Sequence, residues 1–328
     1  SERIDEAEKS FSAAIDQVSS LPQDELLLFL HSLILETVRT NFYLGREYLS
    51  FKVVSRNLAV IPEPKPYREI FVFSTEVEGV HLRGGRIARG GLRWSDRPDD
   101  FRTEILGLVK TQITKNALIV PTGSKGGFVL KNPPRDGSRM KDHVESQYKT
   151  FIKGLLDLTD NIVQGKTVPP GGLVIHDEPD PYLVVAADKG TATFIDLANS
   201  ISQEYDFWLG DAFASGGSYG YDHKKEGITA KGAWECVVRH FREMGLDVHR
   251  DEFTAVGIGD MAGDVFGNGM IYTDRLRLLA AFNHRHIFLD PNPDAASGFA
   301  ERMRLFRNPS LSWNDYNREI ISKGGGVF

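Results

Sequence analysis

The sequence predicts an α/β protein of two parts, and three observations predict this fold class. Short β-prone runs alternate with amphipathic helical stretches between residues 68 and 201. A later β-prone run begins at Phe253, opens on glycines and leads into a further helix. The 328 residues are 41% hydrophobic and 26% charged, which is ordinary for a globular protein long enough for two domains. We therefore expect a domain with a mixed sheet and helices, followed by a second α/β region.

Residues 1–50 are predicted to form a helical lead-in. Apolar residues recur at helical spacing up to about Leu49, and Pro22 separates two helices. The run Leu26-Leu-Leu-Phe-Leu is apolar nearly all round. This composition favours a plain core helix, with a contact between subunits as the alternative.

The sheet is expected to begin after a linker that prolines mark between residues 55 and 66. Residues 68–83 have the alternation of strands. Residues 101–112 have apolar residues at helical spacing. This helix would place Lys115 at the candidate ligand site. Residues 137–165 carry a further helix with one apolar face.

Glycine pairs adjoin cationic residues in this central region. Arg89 precedes Gly90 and Gly91, and Lys125 precedes another glycine pair. Glycines in these positions suggest a backbone brought close to an anion, over which the cationic side chains close. The alternative is that the lysines lie on the surface beside an ordinary turn.

The stretch between the two lysines predicts a buried strand. Residues 117–120 form a short, β-prone apolar run, and Pro121 ends it before a Thr-Gly-Ser turn. On this prediction Lys115 and Lys125 flank the strand. The glycine pair after Lys125 would then lie in a loop wrapped around a small polar ligand.

Residues 182–190 predict a strand that runs into a loop, with Asp188 at the carboxyl end of the strand. Open α/β sheets bind ligands at this end, so Asp188 is the leading candidate for an acid or base. The alternative is a helix cap, because residues 191–201 look helical. The segment His176-Asp-Glu-Pro-Asp-Pro is predicted to be an acidic loop rather than a metal site, because no second ligand cluster accompanies it.

The last third of the chain predicts a nucleotide-binding turn. Residues 211–232 are interpreted as a crossover between domains, and a helix follows over residues 233–244. Gly257 and Gly259 then follow a strand at the spacing of a Rossmann-like dinucleotide-binding turn, with Ala262 in the third glycine position.

The residue that would meet the ribose is left open by the sequence. The next strand, residues 276–282, is followed by Asn283, where the dinucleotide pattern usually has an acidic residue. Asp290 is therefore kept as the fallback partner of the ribose.

Composition restricts the partners. A net charge of −6 leaves no general basic field for nucleic acid. Cys236 is the only cysteine, so no intramolecular disulfide forms, which fits a reducing, cytoplasmic compartment. No apolar run is long enough to span a bilayer and the N-terminus is unlike a signal peptide, so no membrane partner is expected.

Four short motifs in one order resemble the amino-acid dehydrogenases, and most closely the large NAD-dependent glutamate dehydrogenases. The resemblance runs from roughly residue 41 to the C-terminus and includes residues 211–234. The motifs are Arg89-Gly-Gly-Leu-Arg, Thr114-Lys-Asn-Ala, Gly123-Ser-Lys-Gly-Gly and Ala187-Asp-Lys-Gly.

The resemblance implies a domain organisation. Residues 51–210 would form the substrate-binding catalytic domain, and residues 211–328 a partial Rossmann-like NAD-binding domain. The family continues well beyond the end of this sequence, so the chain is expected to be a fragment of a larger polypeptide. A homo-oligomer is expected for the intact enzyme.

The resemblance also implies the oxidative deamination of L-glutamate to 2-oxoglutarate and ammonia, with hydride transfer to NAD. Arg89 and Lys115, with Gly90 and Gly91, would bind the substrate. Lys125 would activate water at the iminium carbon, for which it must be partly neutral. Burial and the charges of Arg89 and Lys115 would favour the neutral form.

Asp188 would shuttle protons to and from the amino group. The wider superfamily usually has lysine at the position of Arg89, and arginine keeps the charge but changes the pocket geometry. No metal is expected. The residues implied for binding NAD are Thr229, Gly257, Gly259, Asp260, Met261 and Asn283.

A non-catalytic alternative also fits the sequence. A regulatory module that binds a dicarboxylate without turning it over would need the cationic motifs but not a complete cofactor domain. The truncated dinucleotide unit is the observation that favours this alternative.

Overall fold

The computed structural model describes residues 2–58, 61–134, 136–220 and 223–328. The chain divides into two compact units, Ser1–Gly220 and Tyr221–Phe328. Both units combine helices with a sheet, which confirms the predicted α/β class. None of the helices in the described part of the chain is long and apolar enough to cross a membrane.

The first unit contains five α-helices among its described residues. They are α1 (Glu2–Ile15), α2 (Leu21–Leu35), α3 (Phe101–Lys115), α4 (Met140–Leu156) and α5 (Ile195–Glu204). The strands are β1 (Thr37–Thr40), β2 (Leu49–Val53), β3 (Arg68–Phe73), β4 (Val77–Arg83), β5 (Ala88–Trp94), β6 (Thr122–Leu130), β7 (Asn161–Val163), β8 (Lys166–Val168), β9 (Val174–Ile175), β10 (Val184–Ala187) and β11 (Ala214–Ser215).

Nine of these strands form one mixed sheet in the order β11-β10-β5-β6-β4-β3-β2-β1-β9, and β7 and β8 form a separate hairpin. Strands β11, β10, β5 and β6 are parallel, whereas β4, β3, β2, β1 and β9 continue the sheet in antiparallel pairs. Helix α3 packs on one face, with Ile105 and Val109 against Val80 and Leu82. Helices α4 and α5 cover the other face. The core therefore lies in two layers, one on each side of the sheet.

The predicted helical lead-in ends earlier than expected. Two helices are present, but the second ends at Leu35, and residues 37–53 supply β1 and β2 to the sheet. Thr37, Val38 and Thr40 are β-branched, and a strand accommodates such residues better than a helix does. The prediction of a plain core helix around Leu26 is wrong, because no residue of α2 is buried.

The predicted strand over residues 117–120 is also wrong. These residues form an exposed turn in which the Leu118 side chain is 99% exposed. The strand instead begins at Thr122 and runs through the glycines that were expected to form a ligand loop. A side chain on Gly123 would lie 2.5 Å from the backbone of Gln112, so glycine is what allows α3 to lie this close to β6.

Six buried charged side chains join the antiparallel half of the sheet to residues 157–182. Arg39, Lys52 and Arg83 are at most 2% exposed. Arg39 Nη1 lies 2.6 Å from Asp160, Lys52 Nζ lies 2.9 Å from Asp177 and 3.0 Å from Asp180, and Arg83 Nη1 lies 2.6 Å from Asp180. Three positive and three negative charges therefore compensate one another inside the protein.

This buried charge cluster explains the acidic segment after His176. The segment was predicted as an acidic loop, yet Asp180 is only 8% exposed. Burial by itself would raise the pKa of Asp180, but the charges of Arg83 and Lys52 outweigh it and lower that pKa to about 2. The cluster fixes the segment that leads into β10 and hence to Asp188.

The second unit has its own sheet and core. Its helices are α6 (His223–Glu226), α7 (Ile228–Glu243), α8 (Asp264–Gly269) and α9 (Ala295–Arg307). Its strands are β12 (Phe253–Ile258), β13 (Leu276–Phe282), β14 (Ile287–Leu289) and β15 (Gly326–Val327), in the order β12-β13-β14-β15. Only β12 and β13 are parallel among them. The core is built around Trp313, which is fully buried.

One face of this second sheet is apolar and uncovered. Val256, Ile258 and Phe282 are 70%, 76% and 45% exposed. The register pairs Val256 with Ala280 and Ile258 with Phe282, so these side chains share a face with Ile287 and Leu289 of β14. Exposed apolar surface of this kind is typical of a contact face.

Candidate active site

Three parallel strands bring Lys125, Arg93 and Asp188 to one face of the first sheet. Strand β5 lies between β10 and β6, with Ala187 beside Leu92 and Leu92 beside Gly126. Since alternate residues of a strand share a face, Arg93 of β5, Lys125 of β6 and Asp188 just after β10 project to the same side. This is the side on which α3 packs.

Asp188 contacts both cations through one oxygen. Lys125 Nζ lies 2.7 Å from Asp188 Oδ2, and Arg93 Nε donates to the same oxygen at 2.8 Å. The other oxygen, Oδ1, has a 3.5 Å contact with Arg93 Nη2. The two carboxylate oxygens therefore differ in how closely the cations approach them.

Asp188 does not act as the helix cap that was the alternative interpretation. Its carboxylate is held by the two cations, whereas its backbone N–H donates to Thr191 Oγ1 at 3.1 Å. The predicted strand and loop are confirmed, because β10 ends at Ala187.

Arg93 and Glu104 extend this arrangement and were missed in the sequence. Arg93 Nη1 donates to Glu104 Oε1 at 2.7 Å, and Ser95 Oγ donates to Glu104 Oε2 at 2.6 Å. Arg93 belongs to the Arg89-Gly-Gly-Leu-Arg motif, but its role did not follow from the motif. Its position two residues after Gly91, on the same strand face, was the available signal.

The charges of the site keep Asp188 ionised. Burial by itself would raise the pKa of the Asp188 carboxyl, but the hydrogen bonds from Arg93 and Lys125 outweigh it and hold that pKa below its ordinary value. The hydrogen bond to Asp188 in turn raises the pKa of Arg93. Asp188 is thus a carboxylate at neutral pH.

Gly90 and Gly91 lie where side chains have no room. A side chain on Gly90 would meet the Ser124 carbonyl oxygen at 1.7 Å, and one on Gly91 would meet the Ala187 carbonyl oxygen at 2.8 Å. The two glycines therefore let β6 and β10 approach β5 closely. The predicted contact of these glycines with a substrate remains a prediction.

Arg89 and Lys115 are exposed. Arg89 lies in β5 beside Val184 and Gly123, on the strand face that carries Arg93. Lys115 is the last residue of α3, as its predicted delivery by a helix required. In the described residues Lys125 contacts a carboxylate, Asp188, and neither Arg89 nor Lys115. The expected cluster of cations around Lys125 therefore includes a negative charge.

The predicted nucleotide-binding turn lies in the second unit. Strand β12 ends at Ile258, Gly259 follows with φ of +138°, and α8 begins at Asp264. A side chain on Gly257 would lie 2.5 Å from the Phe266 ring of α8. The order of strand, glycine turn and helix therefore fits the pyrophosphate of a dinucleotide.

The other predicted cofactor residues differ in exposure. Thr229 is exposed in the first turn of α7, whereas Met261 is 1% exposed in the core of the second unit. Asn283 Nδ2 donates to Asp260 Oδ2 at 2.7 Å, so a carboxylate does lie beside position 283. Asp290 is wrong as the fallback, because it is buried and accepts a hydrogen bond from the Ser322 backbone N–H at 3.1 Å.

A family model and several relatives match nearly the whole chain. The model of the catalytic domain of bacterial NAD-glutamate dehydrogenase matches residues 10–328. The NAD-specific glutamate dehydrogenase of Pseudomonas aeruginosa is 60% identical over 331 residues, which cover 98% of this chain and 20% of the relative. That of Mycobacterium tuberculosis is 56% identical over 338 residues, covering 98% of this chain and 21% of the relative. The chain thus spans about a fifth of the length of these relatives.

The crystal structure of Plasmodium falciparum glutamate dehydrogenase has a related fold. It aligns with a TM-score of 0.51 and 16% identity, covering 87% of this chain and 53% of that one. At this identity the comparison concerns the fold alone.

Proposed function

The chain belongs to the family of bacterial NAD-glutamate dehydrogenase catalytic domains, and on this premise we propose that it carries the catalytic region for oxidising L-glutamate. The products are 2-oxoglutarate and ammonia, and NAD accepts the hydride when it is bound. In this proposal residues 51–210 bind the substrate, and residues 211–328 form part of the NAD-binding domain.

The contact between Lys125 and Asp188 is the observation that carries the proposal. Deamination needs one group that takes a proton from water at the iminium carbon and one that gives a proton to the departing amine. The Lys125 amine, when neutral, accepts the proton of the attacking water, and Asp188 carries a proton to the leaving nitrogen. Two groups 2.7 Å apart can pass a proton between these steps.

The remaining proposed residues bind and orient the substrate and the cofactor. Arg89 and Lys115 supply positive charge for the two substrate carboxylates, beside a backbone that Gly90 and Gly91 keep free of side chains. Gly257 and Gly259 receive the pyrophosphate at the start of α8, and Thr229, Asp260, Met261 and Asn283 complete the proposed cofactor contacts.

We also propose a cytoplasmic homo-oligomer that acts in amino acid catabolism. A single cysteine, Cys236, suits a reducing compartment. The exposed apolar residues of α2, such as Ile34 at 71%, offer a surface for association.

The test uses the polypeptide that carries this segment at the full length of its relatives. NADH formation from L-glutamate is measured for the wild type and for Lys125→Ala, and kcat is expected to fall at least about a hundredfold, with KM raised only modestly. Lys131→Ala is the matched control, since Lys131 lies just after the same strand and stacks on the Phe73 ring at 3.9 Å. A kcat for Lys125→Ala within about tenfold of the wild type, about 1.4 kcal/mol of barrier, contradicts the assigned role.

The alternative is a module that binds a dicarboxylate without turnover. Titration calorimetry with 2-oxoglutarate, alongside the NADH assay, separates the two functions. Binding of the acid without hydride transfer at any NAD concentration supports the module and contradicts the enzyme.

A further inference from the structure

The guanidinium of Arg93 lies between two carboxylates. Its Nη1 atom is 2.7 Å from Glu104 Oε1, and its Nε atom is 2.8 Å from Asp188 Oδ2. The three side chains are only 19%, 11% and 21% exposed, in the order Arg93, Glu104, Asp188. A planar guanidinium that contacts one carboxylate at each edge cannot rotate without losing one of them.

Glu104 is itself held at both oxygens. Ser95 Oγ donates to Oε2 at 2.6 Å while Arg93 occupies Oε1. The backbone N–H of Ser95, just after β5, donates to the Phe128 carbonyl of β6 at 2.9 Å. This hydrogen bond holds Ser95 against β6. Burial by itself would raise the pKa of Glu104, but the bonds from Ser95 and Arg93 lower it. Glu104 is therefore a fixed negative charge at the start of α3.

Asp188 forms ion pairs with two cations in the described part of the chain. Arg93 faces it from β5 and Lys125 from β6, while Glu104 of α3 reaches it only through Arg93. Its neighbour Lys189 points outward, where it pairs with the exposed Asp96 at 2.8 Å. Arg93 and Lys125 thus face Asp188 and Glu104 in these contacts, and removal of either cation changes the field at Asp188.

We propose that Arg93 and Glu104 are positioning residues of the reaction: Glu104 fixes the Arg93 guanidinium, and Arg93 holds the Asp188 carboxylate against Lys125. This inference rests on the proposed function, because positioning of Asp188 matters to turnover only if Asp188 moves protons. Neither residue needs to touch the substrate.

The first test replaces Arg93 in the full-length polypeptide. Arg93→Met leaves Lys125 as the only cation on Asp188, so burial raises the pKa of Asp188 and the acidic limb of the kcat–pH profile moves to higher pH by about one unit. We expect kcat at neutral pH to fall at least about tenfold, with KM for glutamate within about threefold of the wild type. Arg93→Lys keeps the charge but not the two-edged geometry, so its kcat is expected to be intermediate.

The second test asks whether Glu104 acts through Arg93. Glu104→Gln keeps the shape and the acceptor for Ser95 but removes the charge, and kcat is expected to fall about three- to tenfold. In the Arg93→Met background, Glu104→Gln is expected to lower kcat less than about twofold, because Arg93 no longer holds the Asp188 carboxylate. Additive losses with an unmoved acidic limb indicate a merely structural role and overturn the proposal.

Arg97→Met is the matched control. Arg97 forms an exposed ion pair with Asp100 on the same segment, and its loss is expected to leave kcat within about twofold. If Arg93→Met fails to fold, as judged by circular dichroism, the pH profile of Glu104→Gln decides. If Arg93→Met and Glu104→Gln both keep the wild-type dependence of kcat on pH while Lys125→Ala is inactive, this inference is overturned and the proposed function is not. Absence of glutamate-dependent NADH formation by the wild type overturns the proposed function instead.

Discussion

Lys115 is the residue on which carboxylate binding is most directly tested. Lys115→Ala removes an exposed charge at the end of α3, and we expect KM for glutamate to rise more than about tenfold with kcat within about threefold, because a carboxylate loses its counter-charge. Lys110→Ala, five residues earlier on the same helix, is the control. An unchanged KM for Lys115→Ala removes Lys115 from the site.

The sequence predicted some residues of the candidate site and missed others. Asp188 was predicted, because a residue that ends a parallel strand lies at the ligand edge of a sheet. The role of Arg93 was missed, because only the register of β5 against β10 shows that it reaches Asp188. The buried ion pairs were missed for the same reason, since Arg39 and Asp160 are 121 residues apart in the chain.

Asp180 tests the buried charge cluster through pH. Its pKa is lowered to about 2 in the folded protein, so it stabilises the fold above its unfolded pKa, and this contribution is lost as pH falls through about 4 to 2. We expect Asp180→Asn to cost about 3 kcal/mol or more at pH 7, because Lys52 and Arg83 lose a buried partner.

Urea unfolding of wild type and variant at pH 7 and again near pH 2 measures this difference. It is expected to shrink by on the order of 2 kcal/mol at the lower pH. Asp100→Asn removes a carboxylate from an exposed pair and is expected to cost less than about 1 kcal/mol. A difference for Asp180→Asn that does not change with pH contradicts the assigned ion pairs.

At the scale of the elements, the sequence predicted most helices and strands but misplaced the strand that carries Lys125. The apolar spacing of α3 and α4 was sufficient, because periodicity and burial agree there. Strand β6 was misplaced because its glycines have low strand propensity, while the apolar residues 117–120 have a high one. Close packing against α3 selects glycine at these positions and outweighs local propensity.

A substitution at Gly90 tests how closely β5 and β6 approach each other. A methyl group there would lie 1.7 Å from the Ser124 carbonyl oxygen, so the backbone has to move. We expect Gly90→Ala to lower the free energy of unfolding by about 3 kcal/mol or more, and kcat with it, because Lys125 lies on the displaced strand.

Gly107→Ala is the matched control for this prediction. Gly107 lies inside α3 with nothing within 4 Å of its added carbon. Alanine there is expected to stabilise the protein by up to about 1 kcal/mol. Equal urea midpoints for Gly90→Ala and the wild type contradict the close approach of the two strands.

At the scale of the whole molecule, the two units supply different numbers of the residues that the proposed reaction needs. All four proposed substrate and acid–base residues, namely Arg89, Lys115, Lys125 and Asp188, lie in the first unit. The second unit offers one glycine turn and a described sheet in which only two strands are parallel. A dinucleotide is normally bound by two halves of such a domain.

A polypeptide limited to these 328 residues is therefore expected to bind NAD weakly and to form little or no NADH from glutamate. Calorimetry with NAD and with 2-oxoglutarate measures the two sites separately, and weak binding of the acid alone is the expected result. Turnover at a rate comparable to that of the full-length polypeptide contradicts this expectation.

The position of β5 in the sheet has a consequence for how the protein is made. Arg89 pairs with Val184, a residue synthesised 95 positions later. At roughly 5–20 residues per second, a ribosome needs about 5 to 20 s to produce the missing neighbour. During that interval the edge of β5 that later pairs with β10 has no partner strand. Such an edge can pair with other nascent chains. Chaperone binding during translation is thus expected to persist until β10 emerges, and the contact between Lys125 and Asp188 can form only after that moment.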